Sequence, residues 1–212
     1  MAQMARQEES PVPDHDRRPA LVQSYSHAAD IVLGIRPDQL GNPTPCPEYD
    51  TSALVDHLVG AGWRAAALGR GESPVAAEFP HVELAEASEQ LRRAGVDAAC
   101  SWADDARLRA TVTMPWGETY TGEFLVDMYL AELAAHAWDL AAATGQLERL
   151  DPDLPGPALQ GAHSMLKPDY RDSMSKGNPF GAEVAPPADA TGWERFAAFM
   201  GRPPLEWRIA TS

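Results

Sequence analysis

Apolar residues recur at three- and four-residue spacing in five long runs along this chain, separated by stretches rich in proline and glycine. That alternation predicts an all-α protein. Leu21, Tyr25, Ala28, Ala29, Val32 and Ile35 define a first helix over residues 20–35, closed by Arg36-Pro37 and carrying His27 on or near its polar face. GNPTPCPEYD (Gly41–Asp50) places three prolines in five positions and predicts an extended connector. Asp50 is then the N-cap of a second helix, 51–68, whose stripe is Leu54, Val55, Leu58, Ala61, Gly62 and Ala65, with His57 at its edge. Leu84, Ala87, Leu91 and Ala94 predict a third helix, 82–99, with Gly95 weakening its end. LRATVTMPWGETY (Leu108–Tyr120) alternates around Pro115-Trp116-Gly117 and predicts a short hairpin or loop.

The fourth run dominates the chain. Thr121 caps it, Glu123 complements its dipole, and Gly145 ends it. At 1.5 Å per residue the helix over 121–144 is ~36 Å long, enough to span a domain. Asp151–Pro157 follows as a connector, then a helix over 158–174 through Leu159, Ala162, Leu166 and Tyr170, with a kink threatened at Pro168. Gly177–Pro187 reads as extended, and WERFAAFM (Trp193–Met200) as a short terminal helix. Met1–Pro19 has no periodicity and predicts a disordered tail, leaving 20–212 as a single domain.

On the fourth helix, turning ~100° per residue from Leu125 brings Tyr129, Leu133, Leu140 and Ala143 onto one stripe, with Glu132 and His136 in its middle. An ionised carboxylate in a packed interior costs several kcal/mol unless compensated. The residue one turn further is an imidazole, a ligand or hydrogen-bond donor, and a divalent metal would satisfy both. The same spacing also fits a hydrogen-bonded Glu–His pair in a core, or a register in which both face solvent. His57 on the second helix is the candidate third ligand.

Composition narrows the partners. The formal net charge of −14 over 212 residues, without a long basic run, argues against a nucleic-acid surface or an anionic membrane. No stretch reaches the ~20 apolar residues of a spanning helix. MAQMARQEES lacks the apolar centre of a signal peptide, so the expected location is cytoplasmic. Two cysteines, Cys46 and Cys100, do not make a disulfide framework and are expected as thiols. Cys46 reads as a packing residue of the connector, and Cys100 shows nothing. Gly60–Ala65 matches a dinucleotide fingerprint only on paper, because no strand precedes it; small residues there suit close helix packing. His15, His81 and His163 read as surface residues. Trp138 lies nearly opposite His136, and Trp63 and Trp116 are candidates for a pocket wall or for core. No serine, cysteine or zincin hydrolase motif occurs.

Three blocks, PTPCPEYDTSALVDHLVG (Pro43–Gly60), EFLVDMYLAELAAHAWDLAAATGQ (Glu123–Gln146) and NPFGAEVAPPADATGWERFAAFMGRPP (Asn178–Pro204), resemble the DinB-like metal-binding family that includes the metal-binding domain of mycothiol-dependent maleylpyruvate isomerase. The resemblance implies a four-helix bundle holding a divalent metal, commonly zinc or nickel, with His57, Glu132 and His136 at the ligand positions. It implies a small thiol such as mycothiol as co-substrate, an electrophilic partner and, by habit of such bundles, a homodimer. Two neutral imidazoles and one carboxylate would leave the ion at a net charge of about +1 with, for zinc, an open fourth position. Asp139, one turn beyond His136, is then either the group that orients an imidazole or an additional ligand. After Gln146 little more than a helix and a docking tail is expected, so residues of the isomerase's further C-terminal domain do not carry over. The functions this leaves are a thiol-dependent transferase or isomerase, a non-catalytic metal-binding or sensor protein, and, without motif support, a metal-assisted hydrolase with Asp139 as base.

Overall fold

The computed structural model describes residues 16–72, 81–114, 117–166 and 180–208. Their main elements are helices α1 (Arg18–Leu33), α2 (Thr51–Gly69), α3 (Leu84–Ser101) and α4 (Asp105–Arg109), strands β1 (Thr111–Thr113) and β2 (Thr119–Thr121), then α5 (Gly122–Thr144), α6 (Pro155–Met165), α7 (Gly192–Phe199) and α8 (Pro204–Arg208). Helices α1 and α2 each pack against both α3 and α5, which closes a four-helix bundle, and α6 covers the outer side of α5. The all-α reading holds.

The boundaries follow from local chemistry. The Asp50 carboxylate accepts from the Ala53 amide at 2.8 Å, and the Thr121 hydroxyl accepts from Phe124 at 3.3 Å, so both predicted caps form. Gly145 ends α5 at φ 71°, the left-handed conformation that favours glycine. Strands β1 and β2 pair antiparallel with Thr111 opposite Thr121, which makes the expected hairpin; Trp116 lies outside the described residues. Helix α4 was not legible, since five residues are too few to show a period.

Several expectations need correction. Residues 16–19 do not belong to a tail. Helix α1 opens at Arg18 with Pro19 in its first turn, where proline's missing amide costs nothing, and Arg17 makes a 2.9 Å ion pair with the buried Asp127 of α5. Tail residues 1–15 lie outside the described residues. Helix α6 starts at Pro155 for the same reason and ends at Met165, with Leu166 already non-helical at ψ 72°; residues 167–174 of the expected helix lie outside the described residues. His27 is not on a polar face: it is buried and stacks on Trp193 of α7 at 5.7 Å. Gly95 does not weaken the end of α3, which runs on to Ser101. It receives Tyr25 of α1, whose ring also lies against Gly62 of α2 and whose hydroxyl donates to the Gly62 carbonyl at 2.7 Å. The small residues of α2 therefore serve packing, as expected, by admitting one aromatic wedge.

Helix α5 is covered on both sides, so 18 of its 23 residues are buried and polar ones among them need partners inside the protein. Seven alanines from Ala131 to Ala143 let neighbouring backbones approach it closely. No helix of the described residues is long and apolar enough to cross a membrane.

Candidate metal centre

Helix α2 presents His57 and α5 presents Glu132 and His136 to one point inside the bundle. His57 Nε2 lies 2.8 Å from Glu132 Oε1, and His136 Nε2 lies 3.5 Å from the same oxygen. One donor atom from each of the three residues lies within 4.8 Å of the other two. The imidazole rings meet edge to face with centroids 4.9 Å apart. Of the expected alternatives, the solvent-facing register is excluded, because the His136 side chain is 0% exposed.

The three groups differ in access. The side chains of His57 and Glu132 are 16% and 17% exposed, so the cluster opens toward solvent on their side. Tyr49 stacks on the His57 ring at 5.0 Å and fixes its plane. Phe180 stacks on the His136 ring from the closed side, with centroids 6.4 Å apart.

Behind His136 runs a second line of polar groups. His136 Nδ1 lies 3.1 Å from Asp139 Oδ2, so Nδ1–H donates to the carboxylate and Nε2 is the nitrogen that faces the cluster. Arg202 closes the line: its Nε donates to Asp139 Oδ1 at 3.1 Å, its Nη2 to Oδ2 at 2.9 Å, and its Nη1 to the Met200 carbonyl at 2.8 Å. Its guanidinium also sits 5.2 Å from the centre of the Phe180 ring. Asp139 thus stands where it would orient an imidazole rather than beside the open face.

These contacts set the charges. Burial alone would raise the Glu132 carboxyl, but the imidazoles of His136 and His57 beside it hold it far below the usual carboxylate range. Burial would lower His136, and Asp139 and Glu132 outweigh that, pushing it up to about 9. Asp139 is likewise buried yet held low by the Arg202 charge and by hydrogen bonds from His136 and Arg202.

A divalent ion fits this donor set. His136 Nε2 is buried and has only the long 3.5 Å contact to Glu132 rather than a well-formed hydrogen bond, which is what a ligand nitrogen awaiting an ion presents. A tetrahedral ion with bonds near 2.0–2.1 Å holds its ligand atoms about 3.3–3.4 Å apart, so the 3.5 Å separation already matches and the 2.8 Å one must open by about half an ångström.

Other residues take their places around this centre. Asp56 and the exposed His81 are 3.1 Å apart on the surface, and His163 is exposed, as expected of non-ligands. Cys100 is exposed and Cys46 fully buried. Trp138 faces away, into a cavity of about 420 Å³ shared with Trp193, Leu150 and Pro204, none of which touches the three donors. Trp63 is 37% exposed.

The role of Arg202 was missed from the sequence. The signal was indirect: Asp139, once placed inside an all-buried helix, requires a cation, and arginine is the side chain suited to a bidentate buried pair. Phe180 and the closeness of Cys46 to this line carried no sequence signal.

Comparison with known proteins agrees with this architecture. Residues 21–141 match the model of the mycothiol maleylpyruvate isomerase N-terminal domain. Two relatives, each described as an uncharacterized protein, come from Mycobacterium tuberculosis strains CDC 1551 / Oshkosh and ATCC 25618 / H37Rv. Each is 31% identical over 179 residues, covering 82% of this chain and 91% of the relative. No solved structure matches. With more than half of its length matched, and with the helical bundle to go with it, this chain belongs to the mycothiol maleylpyruvate isomerase N-terminal domain family, a DinB-like family.

Proposed function

We propose that the chain holds a divalent ion, zinc by preference and nickel second, through His57, Glu132 and His136, and uses it as a thiol-dependent transferase or isomerase. The observation that supports this is the convergence of the buried Nε2 of His136 and of His57 Nε2 on Glu132 Oε1, at 3.5 and 2.8 Å. The family adds the class of thiol, mycothiol or a relative of it.

When bound, the ion would supply Lewis acidity, lowering the pKa of a thiol at its open position into the neutral range, as it does for water. The protein's residues divide the remaining work. Glu132 would neutralise one of the two charges of the ion, while His57 and His136 would hold it without adding charge. Asp139 holds His136 in the tautomer that offers Nε2. Phe180 and the core below it keep water from the closed side, so thiol and electrophile enter past His57 and Glu132.

Elemental analysis of the purified protein followed by a thiol-conjugation assay with the metal-loaded form tests this. One ion per chain with thiol-dependent conjugation is the expected result. Stoichiometric metal without turnover would favour a metal-binding or sensor protein, and metal-dependent turnover without thiol a hydrolase. A chain that takes up no metal would end the reading.

A further inference from the structure

Two sets of donors overlap at His136. One is the open set just described; the other joins Cys46 Sγ, a His136 ring nitrogen and an Asp139 oxygen, which also lie within 4.8 Å of one another. All three residues of the second set are 0% exposed. A thiolate, a carboxylate and an imidazole would neutralise a divalent ion fully in a dry interior, and sulfur is the preferred donor of thiophilic metals. By donor chemistry alone, the closed set competes with the open one.

Arg202 stands in its way. Both Asp139 oxygens already accept from the guanidinium, at 3.1 and 2.9 Å, and Arg202 is 2% exposed, so its charge acts unscreened on any cation approaching that carboxylate. The surrounding backbone fixes the guanidinium there. Gly201 has φ 80°, a conformation other residues rarely adopt, and a Cβ on it would come within 2.8 Å of the Gly181 backbone. The Arg202 amide then donates to the Ala197 carbonyl at 2.9 Å, returning the chain over the end of α7.

We infer that Arg202 is a specificity-determining residue that keeps a metal ion on the open His57–Glu132–His136 set by occupying Asp139 and excluding the ion from the buried Cys46–His136–Asp139 set. The inference rests on the metal reading above. Without the guanidinium, Cys46 would join the ion: a sulfur–metal bond forms, the S–H bond breaks, and its proton, with any proton on the His136 ring nitrogen that binds, leaves to the buffer, with no change of oxidation state.

Cobalt(II) is the probe, because a thiolate ligand gives it a sulfur-to-metal charge-transfer band in the near ultraviolet. Wild-type protein and Cys46→Ser are expected to give the same cobalt spectrum without that band. Arg202→Met should gain the band, Cys46→Ser/Arg202→Met should lack it, and Arg202→Lys, which keeps a cation in place, should resemble wild type. A band in wild-type protein, a cobalt spectrum altered by Cys46→Ser, or a band that survives in the double variant would overturn the inference. So would a band in Arg202→Lys, or a folded Arg202→Met that binds cobalt without the band or no longer binds it. If Arg202→Met does not fold, the comparison of wild type, Cys46→Ser and Arg202→Lys decides. Failure of wild-type protein to take up cobalt would instead remove the metal reading, and this inference with it.

Discussion

Changing Asp139 to Asn keeps the shape of the side chain while stripping the charge from a carboxylate buried between Arg202 and His136. Asp139 and Arg202 are 0% and 2% exposed at the side chain, so solvent screening does not soften the loss. Removing one partner of such a pair costs about 3–5 kcal/mol, chiefly because the other charge stays buried without compensation. At about 2–4 °C per kcal/mol for a chain of this size, melting should fall by roughly 6–20 °C. Arg202→Met should cost a similar amount, since it strands the carboxylate instead. The double variant leaves neither charge stranded, so its loss should fall short of the sum of the singles by at least ~2 kcal/mol. Urea or thermal unfolding with a chelator present isolates this from any metal contribution. Adding zinc then reads a second effect: loss of the carboxylate that orients His136 should weaken metal binding about 10–100-fold, or roughly 1.4–2.8 kcal/mol. Singles that lose less than ~1 kcal/mol, or that add without coupling, would refute the claim that this pair ties the C-terminal segment to the bundle.

Replacing His136 with Ala should abolish stoichiometric metal by elemental analysis while circular dichroism still reports a helical bundle, because the packing of Leu125, Leu133 and Leu140 is untouched; Glu132→Gln should weaken metal binding without altering the fold. Because His136 is pushed up to about 9, zinc uptake at neutral pH must displace its proton. Calorimetry in buffers of different ionisation enthalpy should show proton release, with affinity rising with pH until about 9 is reached. His27 shows the opposite linkage: burial lowers it below its ordinary value, so the folded protein binds fewer protons there than the unfolded chain. The stability this contributes is present above pH ~6.5 and lost as pH falls through the folded value, and His27→Gln should flatten that acid limb in unfolding titrations. Iodoacetamide should alkylate the exposed Cys100 in the native protein and spare Cys46, whose thiol burial pushes up to about 11; mass spectrometry reads one adduct when native and two when denatured.

What the sequence made legible depended on range. Helix α5 carried its own cap, its own stop and a charged pair on an apolar stripe, so both its bounds and two of the three donors could be read locally. His57 followed from its place on the edge of the α2 stripe together with the resemblance. The first turn of α1 was misjudged because prolines in a charged stretch look like a tail, whereas Arg17 is recruited by an Asp127 more than a hundred residues away. His27 was misplaced for the same reason: its burial is made by Trp193, and no period within α1 reports that. Arg202 belongs to this class too, since only the folded chain brings residues 139 and 202 together.

That long-range dependence divides the surroundings of the three candidate donors between two parts of the chain. His57, Glu132 and His136 all lie within the matched residues 21–141, whereas Phe180 and Arg202, which wall the closed side, lie beyond them. The open face is built by α2, α5 and Tyr49, and so comes with the matched region. The electrostatic setting of His136 does not: its orienting carboxylate is itself held by a residue supplied after α7. The basicity of His136 therefore depends, through Asp139, on the segment that follows the bundle. The matched bundle supplies all three donors, while the groups packed behind His136 come from the C-terminal segment.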